Sequence, residues 1–272
     1  MHSSVHQPRK RFGQNFLKDP FIIQAIIDCI AAFPHIVEIG PGLGALTHGL
    51  IRLSETFTAI EIDRDLVEKF KHQFDPHSHP HIHIHQADAL KFDFASLDSQ
   101  PFKIVGNLPY NISTPILIHL FKSLDSIQDF HFMLQKEVVD RLAAEPNSEY
   151  YGRLSVIAQY FCKVEPLLAI PPESFYPEPK VDSAFVRLTP RKDRVPLPFE
   201  SFQQIVREAF HCRRKTLANN FKQRVSKDVL KDWGFDPNIR PEVLSVEDFV
   251  KLAKHFDSPA KSLEMGINSK TY

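Results

Sequence analysis

The turn Asn107-Leu108-Pro109-Tyr110 combines groups that could promote transfer of a methyl group to the exocyclic amine of a base. Such an amine is a poor nucleophile because its lone pair is delocalised into the ring. The side-chain oxygen of Asn107 and the carbonyl of Leu108 could hold its two hydrogens and stabilise the positive charge that develops on nitrogen. Pro109 would stiffen the turn and Tyr110 would offer a stacking face. An ordinary Asn-x-Pro turn is the alternative interpretation.

A second candidate is the glycine-rich turn at residues 38–44, which reads Glu-Ile-Gly-Pro-Gly-Leu-Gly. Only 9 glycines occur in the chain, and Gly40, Gly42 and Gly44 are three of them. This concentration indicates backbone that approaches a ligand closely or takes positive φ. The spacing is neither that of dinucleotide folds nor that of a P-loop. The Glu38 carboxylate would repel a phosphate but not a sulfonium cation with an α-amino group, as in S-adenosylmethionine.

Two further carboxylates follow predicted strands. Glu61 lies about 20 residues after the glycine turn, where ribose-binding α/β folds place an acceptor for the ribose hydroxyls. Asp88 follows the next strand, where a carboxylate could accept from an adenine amino group. Either residue alone could be a turn or a helix cap. Together with the glycine turn they predict a cofactor site at the carboxyl edge of a sheet.

The elements that position these residues are predicted from hydrophobic periodicity. Short apolar runs predict strands at residues 36–39, 57–62, 82–86, 102–105 and 130–134. Helical spacing alternates with them at residues 22–32, 45–53, 66–74 and 115–121. Strands that alternate with helices indicate βαβ units, so we expect an α/β fold with a mostly parallel sheet.

The pattern changes in the second half of the chain. After a predicted helix at 154–161, strands are expected at 163–170 and 181–188, on either side of a proline-dense loop at 171–179. Beyond Pro190 only helical spacing remains, at 199–209, 216–225 and 246–255. We therefore expect an α/β domain at residues 1–190 and a small helical domain at 191–272.

The charge is distributed unevenly although the net charge of the chain is zero. Residues 187–272 contain 17 Lys and Arg against 11 Asp and Glu, which leaves this part with a charge of +6 and the remainder with −6. An acidic part for chemistry and a basic part for contact with a polyanion is one interpretation. Chance variation of surface charge is the other.

Composition limits the class of protein. Hydrophobic residues make up 43% and charged residues 24% of the 272, as in a soluble globular protein, and no apolar run reaches the roughly 20 residues that span a bilayer. The beginning of the chain lacks a secretory signal, so we expect a cytoplasmic protein.

Neither cysteines nor histidines indicate a metal site. The three cysteines, Cys29, Cys162 and Cys212, are far apart, and each is expected to be a small buried side chain. Residues 81–85, His-Ile-His-Ile-His, place three histidines on one strand face. A solvated edge strand is expected there, and no metal.

Taken together, these motifs resemble the small-subunit rRNA adenine N6,N6-dimethyltransferases of bacteria, the kasugamycin-sensitivity enzymes. The matching stretches follow the family's order along almost the whole chain. They are residues 10–17, 37–44, 61–63, 86–89, 106–113, 175–184 (FYPEPKVDSA) and 213–219 (RRKTLAN).

The resemblance implies a Rossmann-like methyltransferase domain with a helical C-terminal domain that binds RNA. It implies transfer of four methyl groups from S-adenosylmethionine to two adjacent adenosines in a hairpin near the 3′ end of 16S rRNA, within the 30S subunit or its precursor. The residues implied to bind the cofactor are Asn15, Leu17, Gly40, Gly42, Glu61, Asp88 and Asn107. Those implied at the target base are Asn107, Leu108, Pro109, Tyr110 and Phe175. Phosphate contacts are expected from Arg9, Lys10, Arg11, Arg213, Arg214 and Lys215, and the protein is expected to be a monomer.

Three other functions are compatible with parts of the pattern. The related 23S rRNA adenine methylases share the first domain, but residues 175–184 and 213–219 favour the small-subunit enzymes. A ribosome-assembly factor with secondary catalysis is a second alternative, which the intact turn at Asn107–Tyr110 disfavours. A dehydrogenase is disfavoured by the glycine spacing.

Overall fold

A computed structural model of the chain describes residues 14–75, 77–97, 101–212 and 214–257. The chain divides into two compact units, residues 1–139 with 164–190, and residues 140–163 with 191–272. The first unit ends at residue 190, and residues 140–163 group with the helices that follow. The reason is visible in Tyr160, whose ring packs 4.1 Å from that of Phe202 and whose hydroxyl donates to the carbonyl of Val195.

The first unit is built on a seven-stranded sheet. In chain order the strands are β2 (His35–Ile39), β3 (Thr56–Glu61), β4 (Ile82–Gln86), β5 (Phe102–Asn107), β6 (Ile127–Gln135), β7 (Cys162–Ile170) and β9 (Ser183–Pro190). Their spatial order is β4-β3-β2-β5-β6-β9-β7. The pairs among β2 to β6 are parallel, and β9 runs antiparallel to β6. The expected mostly parallel sheet is confirmed.

A two-stranded antiparallel ribbon accompanies the sheet. It pairs β1 (Phe16–Leu17) with β8 (Phe175–Tyr176), with Phe16 opposite Tyr176 and Leu17 opposite Phe175. The backbone N–H of Lys18 extends the contact by donating to the carbonyl of Ser174. Neither strand was expected from the sequence.

Helices precede and connect the parallel strands. α1 (Pro20–Asp28) lies between β1 and β2, whereas α2 (Thr47–Arg52), α3 (Arg64–Gln73) and α4 (Ser113–Leu120) lie between parallel strands, and α5 (Lys136–Ala143) follows β6 directly. Asp19 caps α1 by accepting from the N–H groups of Phe21 and Ile22, and Asp63 caps α3 by accepting from Asp65. Side chains of α1 and α2 are buried against β2 and β3 in one apolar cluster. The carboxyl ends of the strands are thereby held at one edge.

The second unit is helical. It contains α6 (Arg153–Phe161), α7 (Phe199–Ala209), α8 (Leu217–Phe221), α9 (Lys227–Asp232) and α10 (Val246–Asp257). Aromatic pairs form its core, with Phe210 stacked on Phe249 at 5.5 Å and Trp233 stacked on His255 at 4.8 Å.

The sequence also made predictions about the cysteines, the histidine-containing strand and membrane-spanning segments. Cys162 is buried and Cys29 half-buried, but Cys212 is exposed, so the expectation that every cysteine is buried is wrong. The strand with alternating histidines is β4 at the edge of the sheet, and His83 and His85 are exposed on it as expected. Among the helices described, none is long and apolar enough to cross a membrane.

Candidate active site

A cavity of about 350 Å³ opens in the first unit at the carboxyl ends of β2, β3 and β5. Its wall includes ten residues that the sequence assigns to the cofactor or the target base. They are Asn15, Leu17, Gly40, Gly42, Glu61, Asp88, Asn107, Leu108, Pro109 and Tyr110. The structure therefore brings together four sheet-edge segments, at the ends of β2, β3, β4 and β5, and one segment from near the start of the chain.

The glycine turn follows β2 and forms one wall of the cavity. Gly40, Gly42 and Gly44 have φ angles of 66°, 59° and 86°, a region that residues with a Cβ rarely adopt. A Cβ on Gly42 would also lie 3.1 Å from the ring of Phe16. The turn thus needs glycine both for its backbone conformation and for the aromatic ring that packs against it.

Glu61 ends β3 and is only 5% exposed. Its two carboxylate oxygens accept from the backbone N–H of Asp63 at 2.9 Å and of Gly42 at 3.3 Å. Burial raises the pKa of Glu61, and these backbone donors oppose that rise. A carboxylate oxygen has more than one lone pair, so the side chain can still accept from a vicinal diol.

Glu38 is a second buried carboxyl group in the same wall, 2% exposed. It accepts a hydrogen bond of 2.6 Å from the Thr47 hydroxyl, which belongs to α2. Burial raises its pKa to about 8, despite the opposing effect of Thr47. A cation bound in the cavity would compensate a charge on Glu38, so this wall is suited to a positively charged ligand.

Asp88 lies beyond the end of β4, beside the apolar side chains of Ala89 and Leu90. Its Oδ1 accepts from the backbone N–H of Leu90 at 3.0 Å, which fixes the carboxylate in the wall. Carboxylates at two strand ends, a buried acid and an apolar wall fit the ribose, the cationic methionine part and the adenine of S-adenosylmethionine.

Asn107 is the last residue of β5, and its side chain has a defined orientation. Its Nδ2 donates to the backbone carbonyl of Asn15 at 2.8 Å. Because the amide nitrogen is engaged there, its Oδ1 is the group that remains to accept from a ligand. Leu108 follows, 1% exposed, and its N–H donates to the carbonyl of Met133.

Tyr110 stands at the end of the same turn. Its hydroxyl shares a hydrogen bond of 2.8 Å with the hydroxyl of Ser183, a buried residue at the start of β9. Burial raises the pKa of Tyr110, and the bond to Ser183 acts in the opposite direction. The phenol is therefore neutral at physiological pH and the ring is anchored at its outer end.

Four of the predicted site residues lie outside the described residues. These are Arg9, Lys10, Arg11 and Arg213. Arg214 and Lys215 are described and exposed, but they belong to the second unit.

Phe175 is placed differently from the other predicted base contacts. It is 1% exposed, belongs to the apolar cluster under the ribbon, and is not among the described residues that line the cavity. Its assignment to the target base stays a prediction.

Four residues that complete the site are not among the predicted site residues. Phe16 and Gln14 line the cavity, Thr47 holds Glu38, and Ser183 holds Tyr110. Gln14, Phe16 and Ser183 lie within stretches that carry the family resemblance, which was the available signal. Thr47 lies outside them, and only the fold brings it to Glu38.

Known proteins resemble this chain along most of its length. A model of the family described as ribosomal RNA adenine dimethylase matches residues 5–258. The chain is 51% identical over 260 residues to a protein of Marinomonas sp. (strain MWYL1) named ribosomal RNA small subunit methyltransferase A, which covers 93% of this chain and 97% of that relative. It is 50% identical over 267 residues to the protein of the same name from Vibrio vulnificus (strain YJ016), covering 94% and 97%.

Solved structures extend the likeness to the fold. A dimethyladenosine transferase from Plasmodium falciparum has a TM-score of 0.76 and 28% identity, and the match covers 89% of this chain and 97% of that one. The 23S rRNA methyltransferase ErmE has a TM-score of 0.67 and 25% identity, with 90% and 100% covered. The expected Rossmann-like methyltransferase fold is confirmed.

Proposed function

Because this chain belongs to the ribosomal RNA adenine dimethylase family, we propose that it dimethylates the N6 amines of two adjacent adenosines in the 3′-terminal hairpin of 16S rRNA. The chain is a methyltransferase that uses S-adenosylmethionine as methyl donor, as its family does. The observation that carries the proposal is the Asn107 side chain, whose amide nitrogen is engaged by Asn15 and whose oxygen is left to accept from a substrate amine.

The cofactor is proposed to bind along the first wall of the cavity. Glu61 accepts from the ribose hydroxyls, Asp88 accepts from the adenine amine, and Glu38 faces the cationic part. The backbone of Gly40 and Gly42 allows close approach, while Asn15 and Leu17 cover the ligand. S-adenosylmethionine supplies an electrophilic methyl group when it is bound.

The target adenine is proposed to bind against the opposite wall. Asn107 Oδ1 and the carbonyl of Leu108 accept the N6 hydrogens, two before the first transfer and one before the second. They stabilise the positive charge that grows on nitrogen until the methylated nitrogen releases a proton to water. Pro109 fixes the turn, and the ring of Tyr110 provides a stacking face for a base taken out of its helix. The attacking amine is already neutral, so no strong base is needed to activate it.

The small-subunit RNA is favoured over the large-subunit RNA by the comparisons. The relatives named for the small subunit are about twice as identical to this chain as the 23S rRNA methyltransferase is. We propose that the substrate is 16S rRNA in the 30S subunit or its precursor.

Six basic residues are proposed to contact the phosphates of the RNA. They are Arg9, Lys10, Arg11, Arg213, Arg214 and Lys215. The enzyme is proposed to act as a monomer in the cytoplasm.

The test is incubation of the protein with unmethylated 30S subunits and methyl-labelled S-adenosylmethionine, followed by mapping of the modified nucleosides. We expect four methyl groups per particle, on two adjacent adenosines near the 3′ end of 16S rRNA. Unmethylated 50S subunits serve as the control. Label that appears in 23S rRNA, or at another base of 16S rRNA, would contradict the proposal.

A further inference from the structure

The ribbon of β1 and β8 has two different faces. Side chains directly opposite each other in an antiparallel pair share a face, and neighbours along a strand alternate. Leu17 and Phe175 form the first face, and both are buried in the apolar cluster of the first unit. Phe16 and Tyr176 form the second face, and the ring of Phe16 lies against Gly42 in the cavity wall.

Tyr176 differs from its three neighbours in the ribbon. It is 60% exposed, whereas Phe16 is 9% and Phe175 only 1% exposed. It is paired with Phe16, which lines the cavity, and so lies one strand spacing, roughly 5 Å, from the cavity wall. Leu43 and Ile62 of the cavity lining are exposed as well, at 53% and 45%. An exposed aromatic ring therefore lies beside a residue of the cavity wall.

A nucleic-acid substrate provides a ligand for such a ring. When one base is moved from the stack into a cavity, the base next to it loses a stacking partner. Exposed aromatic rings bind unstacked bases in RNA-binding proteins of many kinds, without strong preference for the base. Tyr176 is close enough to the cavity for a neighbouring nucleotide and is not itself part of the described lining.

We propose that the Tyr176 ring stacks on the nucleobase adjacent to the adenine held in the cavity. Tyr176 is then a positioning residue that replaces the stacking which that base loses. The inference rests on the proposed function, because it needs an RNA substrate with a base in the cavity. Tyr176 would provide a second base contact. Phe175 and Tyr176, the two aromatic residues of β8, lie on opposite sides of the ribbon.

The experiment compares Tyr176→Ala, Tyr176→Phe and Tyr176→Trp on unmethylated 30S subunits. Loss of one base–aromatic stack is expected to raise KM for the particle about 5-fold or more in Tyr176→Ala. The value of kcat should change little, because the stack is present in both the ground state and the transition state. The phenylalanine and tryptophan variants keep a stacking face, so they should restore KM to within about 2-fold of the original.

Two controls make the result decisive. Tyr150, a 45% exposed tyrosine of the second unit, provides a matched Tyr150→Ala variant that should leave KM unchanged. Binding of S-adenosylmethionine by calorimetry should be the same in all Tyr176 variants.

Three outcomes would overturn the inference. These are an unchanged KM in Tyr176→Ala, a Tyr176→Phe variant as impaired as Tyr176→Ala, and weaker cofactor binding across the Tyr176 variants. The last would mean that the residue supports only strand pairing. If the unaltered enzyme fails to methylate 30S subunits, the proposed function fails instead.

Discussion

Individual residues account for the proposed chemistry through their hydrogen-bond partners. Asn107 is useful as an acceptor because its amide nitrogen is already satisfied by the Asn15 carbonyl. Tyr110 is held by Ser183 in the same way. In both cases a residue outside the turn fixes the orientation of the side chain, so the sequence of the turn alone does not specify the chemistry.

Replacement of Asn107 by alanine removes one of the two proposed acceptors for the amine hydrogens. We expect single-turnover methylation of 30S subunits to slow about 100-fold or more, by analogy with the loss of one preorganised group at an oxyanion site. Binding of the particle should remain within about 2-fold, because the acceptor acts mainly on charge that develops during transfer.

The exposed Asn238 of the second unit provides the control for that prediction. Asn238→Ala should methylate 30S subunits at the original rate. If Asn107→Ala did so too, the amine-positioning role of Asn107 would be wrong.

Glu38 predicts an unusual pH dependence of stability. Its pKa in the folded, ligand-free protein is about 8, above the ordinary 4.5, so the folded state retains a proton that the unfolded state has lost. The unfolding free energy therefore falls as pH rises between these values. Glu38→Gln keeps an acceptor for Thr47 and cannot ionise, so its Tm relative to the original protein should increase from pH 5 to pH 8.

Thermal unfolding across this pH range, without cofactor, measures the difference. Addition of S-adenosylmethionine should reduce it, because a cation in the cavity favours the charged form of Glu38. A Tm difference that stays constant with pH would refute the assignment of a neutral Glu38.

At the scale of elements, the glycine turn depends on how closely β5 packs against β2. A Cβ on Gly106 would lie 2.8 Å from the carbonyl oxygen of Ile39, which is backbone and cannot rotate away. We expect Gly106→Ala to lower the unfolding free energy by about 1–3 kcal/mol, as overpacking does, and to weaken cofactor binding because the turn shifts.

Urea unfolding of Gly106→Ala and Gly152→Ala provides the comparison. Gly152 has extended backbone, and no atom lies within 4 Å of an added Cβ. Its alanine variant should be within about 0.5 kcal/mol of the original protein. Equal stability of the two variants would show that the strands can separate without cost.

The sequence predicted the helices and strands that are long enough to show a hydrophobic periodicity. β2 to β6 each contain at least five residues, and their apolar runs were sufficient. β1 and β8 have two residues each, and most of the sequence of the first unit lies between them. No local pattern could therefore indicate that they pair. α5 follows β6 with no turn residue between them, which concealed its start. α9 was also missed, although Ser226 caps it as a sequence signal would.

Local sequence patterns predicted some of the site residues and not others. Gly40, Glu61, Asp88 and Asn107 each end a strand or follow one, so a prediction of strands brought them to one edge. Phe16 and Asn15 reach that edge through contacts between distant segments, which are the β1–β8 pairing and the hydrogen bond from Asn107 to Asn15. Resemblance to a family supplied what the local pattern could not.

For the molecule as a whole, the uneven charge is the feature most relevant to RNA. Arg214 and Lys215 are exposed in the basic second unit. Replacing both with glutamate should weaken binding of 30S subunits and flatten the dependence of log K on log salt by roughly 1–2 units, if each contacts one phosphate.

Lys69 and Lys71 on α3 provide a matched double replacement, because they are equally exposed lysines of the acidic first unit. That variant should keep the original salt slope. An unchanged slope in the Arg214 and Lys215 variant would place the RNA elsewhere.

The ribbon also constrains how the enzyme is made. β1 is the first strand described, and its partner β8 is the eighth of the nine. During synthesis, β1 leaves the ribosome long before Phe175 and Tyr176 do, and long-range pairings of this kind form late and slowly. The nascent chain can assemble the parallel strands first, but the cavity acquires its wall at Phe16 only after nearly the whole first unit has emerged. A truncated translation product that ends before Tyr176 would therefore lack the cavity wall at Phe16 even if its parallel strands had folded.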